Sequence, residues 1–169
     1  MKTVIVLAMH GSPPNDFPRA ELGEFFALHA RLEASPVSHS PALESRYEEL
    51  AGKLKNWPRT PGNDPYYAAS HALAQALQKE SGLEVVVGFN EFCAPDIGEA
   101  LSQAAGSGAS KILVVTTMLT RGGEHAEKDI AQSVSRARRD CPGIEIVYAW
   151  PFETAEIARF LAAHIEKYI

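Results

Sequence analysis

The sequence predicts an α/β domain in which a parallel four-stranded sheet is covered by helices. Two observations carry that prediction. Continuous apolar or β-branched runs, the pattern of strands buried on both faces, recur at residues 3–9, 84–89, 111–117 and 144–149. Between the later runs lie stretches with apolar residues at helical spacing, so strands and helices alternate along the chain. A chain of 169 residues with 46% hydrophobic and 22% charged content is large enough to bury one core. One domain, residues 1–169, is the expectation.

The first strand is Thr3 to Met9, and it runs directly into His10-Gly11-Ser12. The segment that follows is far longer than one crossover helix requires. It reads as three helices, Pro18 to Ala34, Pro41 to Lys55 and Asp64 to Lys79, separated by proline-bearing breaks at Ser35-Pro36 and at Trp57 to Gly62. Residues 13–65 are therefore expected to form a helical insertion that could act as a lid, and 36–41 to be its most mobile loop. Glu84 to Phe89 is the second strand. Pro95 to Gly106 then carries Ile97, Ala100, Leu101, Ala104 and Ala105 on one stripe, with Asp96 and Glu99 at its start. Lys111 to Thr117 is the third strand. Glu124 to Asp140 places Ile130, Val134 and Ala137 at helical spacing, and Ile144 to Ala149 forms the fourth strand. A last helix, Glu153 to Tyr168, carries Ile157, Phe160, Leu161, His164, Ile165 and Tyr168.

The formal charge of −5 argues against non-specific nucleic-acid binding, which needs a basic face. No apolar run approaches the ~20 residues needed to span a bilayer, so a cytoplasmic protein is expected. Cys93 and Cys141 match no metal knuckle or redox pair. Cys93 is expected to pack as a small hydrophobe at a strand end.

Chemistry concentrates where the strands end. His10 follows the first strand and His125 follows the third, just past Gly122-Gly123. If those strands are neighbours, both imidazoles emerge at the carboxyl edge of the sheet, where open α/β sheets place ligands. Glu91, in Phe89-Asn90-Glu91-Phe92, ends the second strand between two aromatic residues. Two imidazoles and a carboxylate form a donor set suited to cobalt, nickel, ferrous iron or zinc. Asp129 lies four residues after His125, on the same helical face, and could accept the second ring N–H. Gly11 allows a tight turn at the strand end, and Ser12 offers a hydroxyl and an amide. A histidine phosphatase would need arginine before the His-Gly pair, and Met9 stands there instead.

Three segments in order, Val6 to Ser12, Gly88 to Leu101 and Ile112 to Ile130, resemble the sirohydrochlorin chelatases, more closely their short single-domain form. The most specific piece is Gly-x-His-x-x-x-Asp-Ile, Gly123 to Ile130 here. The resemblance covers the first strand and everything from about Glu84 onward. It implies a flavodoxin-like half-domain with strand order 2-1-3-4 and ATP-independent insertion of a divalent metal into a tetrapyrrole. The metal, cobalt, iron or nickel, is a substrate, and no nucleotide cofactor is needed. It implies further that His10, His125 and Glu91 are the catalytic and metal-facing residues, and that two copies can pair as a homodimer. Arg121, with Gly122, Gly123 and Ser12, is expected to receive the carboxylate arms of the macrocycle; Lys128 and Arg19 are weaker candidates.

The chain departs from the family at Thr117, where proline is usual, at Thr120-Arg121, and at Ala94, where an acidic residue is common. Residues 13–65 also exceed the short enzymes. Phe25, Phe26, Trp57, Tyr66 and Tyr67 in or beside this region could line a flat ligand, although helix packing is the commoner fate of such residues. His29, His39 and His71 are minor candidates as ligands. Two other readings use the same donors: a carrier that binds metal or tetrapyrrole without turnover, and a metal-dependent hydrolase with an open coordination position.

Overall fold

Four parallel strands in the order β2-β1-β3-β4 form the centre of the protein. They are β1 (Thr3–Met9), β2 (Glu84–Phe89), β3 (Lys111–Thr116) and β4 (Glu145–Tyr148). The computed structural model describes residues 1–34 and 40–169, so His39 and most of the expected 36–41 loop lie outside the described residues. The fold class and strand order are those the sequence predicts. β3 is one residue shorter than expected, and β4, an edge strand, is two residues shorter.

The helices are α1 (Arg19–Ala34), α2 (Pro41–Lys55), α3 (Pro65–Ser81), α4 (Ile97–Gly106), α5 (Ile130–Asp140) and α6 (Thr154–Ile165). Their ends follow from local chemistry. Asp64 accepts the amide of Tyr67 to cap α3 behind Pro65, and Gly82, at φ +69°, closes its far end. Asp96 and Glu99 form a reciprocal capping box at the start of α4. The predicted helix 124–140 is divided: His125–Asp129 is one π turn, and α5 begins only at Ile130.

Strand periodicity sorts the core into two layers. Val4, Val6 and Ala8 point with Ile112, Val114 and Ile146 to α4 and α5, meeting Ala100, Leu101, Ala104, Ile130 and Val134. Gly88 lets α4 approach closely, since a Cβ there would lie 2.7 Å from Cβ of Ala100. On the opposite face Leu7, Met9, Val87 and Phe89 pack against Ala74, Tyr66 and Tyr67 of α3. A third cluster joins α1 to α2 through Phe17, Phe25, Leu50 and Leu54, with Tyr47, Trp57 and Phe92 packed around it. The apolar stripe of α6 is the exception: none of its residues is buried, and Phe160, Leu161 and Ile165 are exposed.

In register, Met9 pairs with Phe89 and Ala8 with Thr116, so the first three strands end at one level. The chain leaves β1 toward β2 on one side and later returns to β3 on the other. The crevice at that switch point is where His10 and His125 emerge.

Candidate metal centre

His10 and Glu91 are brought together by backbone pairing that continues past the strands. The amide of Asn90 donates to the carbonyl of Met9 at 2.8 Å, and that of Glu91 to the carbonyl of His10 at 2.9 Å. Gly11 makes the approach possible: it has φ +103°, and a Cβ at that position would fall 2.0 Å from the Glu91 carbonyl oxygen. His125 arrives from the other side of β1, on the first residue of the π turn. The rings of His10 and His125 meet edge to face with centroids 4.7 Å apart.

Glu91 bridges the two histidines. One of its oxygens lies 3.8 Å from His10 Nε2, the other 3.8 Å from His125 Nε2. One ligand atom from each of the three residues lies within 4.8 Å of the others, and all three side chains are half-buried. Ligands on a tetrahedral ion with bonds of about 2.1 Å stand about 3.4 Å apart, so the two 3.8 Å contacts would close by about 0.4 Å and any wider pair by more.

Hydrogen bonding fixes which nitrogens face the crevice. His10 Nδ1 donates to the Gly11 carbonyl at 2.9 Å, leaving Nε2 bare. His125 Nδ1 lies 2.7 Å from Asp129 Oδ2. The amide nitrogen of Asn90 is 2.8 Å from the same Nδ1 and 3.3 Å from Asp129 Oδ2. Asn90 could donate to Nδ1 only if the proton sat on Nε2, which would leave a ring lone pair facing a carboxylate. The short contact to Asp129 therefore assigns the proton to Nδ1, and Asn90 donates to the carboxylate. Both Nε2 lone pairs then point toward Glu91, the arrangement metal-binding histidines require.

The other expected residues surround this centre unevenly. Arg121 is exposed on the loop before the π turn. The amide of Gly122 is taken by Glu127 Oε1 at 2.7 Å, and the carbonyl of Gly123 by the Glu127 amide at 3.0 Å. Glu127 thus shapes the turn, and Gly122 does not present a spare N–H. Ser12 is half-buried, and its carbonyl accepts from Arg59 at 2.6 Å. Lys128 pairs with Glu124 at 2.9 Å. Tyr66 and Tyr67 pack in the core beside the sheet, and the Tyr66 hydroxyl accepts the amide of His10 at 3.2 Å. His71 packs on Tyr67 and Phe89, away from the triad.

Two features beside the candidate site were not legible in the sequence. One is Asn90, which the sequence presents only as the neighbour of Glu91. The other is a buried ion pair, Arg59 with Asp64, whose side chains are 5% and 2% exposed. The Arg59 guanidinium also donates to the carbonyls of Ser12, Leu54 and Phe92. It therefore joins the loop after His10, the end of α2 and the loop carrying Glu91. The Phe92 carbonyl it holds belongs to a residue at φ +60°, a left-handed conformation costing about 1–2 kcal/mol for a residue with a Cβ. No signal in the sequence marks that strain.

The flanking charges are settled by local partners. Lys55 lies 2.7 Å from Asp96 and 2.8 Å from Glu99. Burial disfavours the Lys55 ammonium, but the hydrogen bonds it donates to both carboxylates outweigh this and raise its pKa. Burial likewise works against the Asp96 carboxylate, yet the Lys55 hydrogen bond and the Glu99 amide hold its pKa below the ordinary value. Burial pushes the Cys93 thiol up to about 11, so it is neutral at pH 7. Two cavities meet at Asn90 and Glu91, one of about 480 Å³ between α4 and α5 and one of about 460 Å³ beneath α1 and α2.

Comparison with known proteins places the chain in a family. A sirohydrochlorin cobaltochelatase of Methanopyrus kandleri (strain AV19) is 41% identical over 59 residues, which are 34% of this chain and 41% of the relative. The match thus spans well under half of that relative. Among solved structures, a CbiX protein of Marinobacter aquaeolei VT8 is 16% identical with a TM-score of 0.54, covering 98% of this chain and 95% of that one. It shares the fold. The cobalt complex of the sirohydrochlorin chelatase SirB from Bacillus subtilis subspecies spizizenii is 22% identical with a TM-score of 0.44, covering 89% of this chain and 44% of SirB. A family model described as CbiX matches residues 63–167, which include Glu91 and His125, and the chain belongs to the CbiX family.

Proposed function

We propose that this protein is a chelatase that inserts a divalent metal ion, cobalt, iron or nickel, into sirohydrochlorin or a closely related tetrapyrrole without ATP. The observation that carries the reading is the convergence of one donor atom each from His10, His125 and Glu91 within 4.8 Å, with each Nε2 3.8 Å from a Glu91 oxygen and both Nδ1 atoms engaged elsewhere. Family membership and the resemblance to a cobaltochelatase support it.

The chemistry follows from the donors. Two neutral imidazoles and one carboxylate can replace part of the hydration shell of an arriving ion while leaving positions open to the macrocycle. Asp129 holds the Nδ1 proton of His125, which strengthens Nε2 as a donor. Metallation releases two pyrrole N–H protons; Glu91, 3.8 Å from either imidazole, is the base placed to accept one, and an imidazole freed as the ion passes to the macrocycle would accept the other. Arg121 is the exposed cation next to the Gly122 turn and would pair with a carboxylate arm. The helices of residues 13–65 would cover the cleft as a lid. The protein would act in the cytoplasm, and a homodimer would bury the stripe of Phe160, Leu161 and Ile165 on α6.

An absorbance time course with sirohydrochlorin and cobalt(II), against a no-protein control and His125→Ala, tests the reading. Wild-type metallation well above both supports it. Tight binding of either ligand without acceleration would replace it with a carrier.

A further inference from the structure

The α1–α2 pair lies outside the residues 63–167 that match the family, yet it bounds one of the two cavities that meet at Glu91. That cavity, about 460 Å³, is lined by Phe25 and Phe26 of α1, Tyr47 of α2 and Phe92, with Asn90 and Glu91 on the side of the histidines. The rings form a continuous wall: Phe26 packs on Phe25 with centroids 5.3 Å apart and on Phe92 at 6.0 Å. Phe26 nevertheless remains 44% exposed. The cationic groups nearby are already engaged, Lys55 by Asp96 and Glu99 and Arg46 by Glu24 and Glu49.

The left-handed backbone at Phe92 ties this wall to the metal centre. Glu91 faces the two imidazoles, while the next residue, at φ +60°, packs its ring against Phe25 and Phe26. Strain of this kind persists where surrounding structure over-determines it and clusters at ligand sites. Here Arg59 grips the Phe92 carbonyl. The chamber is too small for a whole tetrapyrrole but is continuous with the carboxylate that would face the metal.

We propose that this aromatic chamber receives one edge of the planar macrocycle, holding the ring by apolar and aromatic contact with Phe26 and Phe92 while Glu91 and the histidines address the metal. The inference rests on the chelatase reading and adds to it a substrate contact supplied by the helical elaboration. With its cations paired, the chamber grips ring surface, and the carboxylate arms turn toward solvent and Arg121.

The test is equilibrium titration of metal-free sirohydrochlorin into wild type, Phe26→Ala and Phe26→Leu, followed by absorbance, with cobalt(II) alone titrated in parallel. Circular dichroism checks that each variant is folded; Phe26→Leu keeps apolar volume and guards against a folding defect in the alanine variant. Loss of the aromatic contact is expected to weaken tetrapyrrole binding by about tenfold in Phe26→Ala and less in Phe26→Leu. Cobalt(II) binding should stay unchanged in both. Equal tetrapyrrole affinity in all three proteins, with wild type metallating normally, overturns the chamber and leaves the chelatase reading standing. A wild type that binds cobalt but no sirohydrochlorin overturns both.

Discussion

Asp129 Oδ2 lies 2.7 Å from Nδ1 of His125, and this contact decides which ring nitrogen faces Glu91. The π turn at His125–Asp129 brings the two residues over one another at the point where the third strand delivers the chain to the crevice. Replacing Asp129 by alanine removes the acceptor and lets the imidazole proton move to Nε2. The expected outcome is a 10- to 100-fold weaker metal affinity, about the usual cost of losing such a partner, read by cobalt(II) titration. Asparagine should cost less, because its amide oxygen still accepts. Unchanged affinity in Asp129→Ala would remove Asp129 from the site.

His125→Ala should abolish metallation of sirohydrochlorin with the fold intact, and His10→Ala should reduce it severely. Both imidazoles are half-buried at the sheet edge, where truncation opens no core cavity. Initial rates compared with far-ultraviolet circular dichroism decide the matter. Wild-type turnover by either folded variant would contradict the assignment.

Breaking the Arg59–Asp64 pair should cost more than removing any exposed ion pair. Arg59→Met strands the Asp64 carboxylate, which is 2% exposed, and buried charges left alone cost about 3–5 kcal/mol. The double variant Arg59→Met with Asp64→Leu should recover part of this, although it loses the cap on Tyr67. Urea unfolding of the two variants separates the outcomes; equal losses would mean that the stranded charge is not the main term.

The Lys55–Asp96 contact sets a pH window for stability. Asp96 has a folded pKa below its ordinary 3.8, so its contribution is present above that value and lost as pH falls through the lower folded value. Lys55 has a folded pKa above its ordinary 10.5, so its contribution is complete below that value and lost as pH rises through the higher folded one. Both side chains are partly exposed, and solvent reduces the size of the effect. Urea midpoints measured from acid to alkaline pH should show Lys55→Met lowering the plateau and flattening both limbs. A difference from wild type that does not change with pH would refute the electrostatic account.

His71 should destabilise the protein in acid. Its Nε2 is buried with no hydrogen-bond partner among the described residues, and burial lowers its pKa from the ordinary 6.5. The folded state therefore resists its protonation, so stability is retained above 6.5 and declines as pH falls below it. His71→Phe keeps the ring packing on Tyr67 and Phe89 and should be relatively more stable at pH 5 than at pH 8, by thermal melting. The opposite trend would mean that the imidazolium finds a partner.

The sequence by itself determined the sheet and the edge at which the candidate site lies. Strands such as Val4 to Ala8 and Ile112 to Val115 announce themselves because burial on both faces demands unbroken apolar runs. The turns after them leave His10, Glu91 and His125 at one end. Asp129 was legible too, because four residues of helix return a side chain to the same face. Tertiary structure alone decided the rest. The pairing of Arg59 and Asp64 with the loops of Ser12 and Phe92, the entry of Asn90 beside His125, the left-handed Phe92 and the exposed stripe of α6 all depend on partners far away in sequence or on the absence of cover. Local propensity carries no trace of them, because a buried charge or a strained φ is stable only once the surrounding packing has formed.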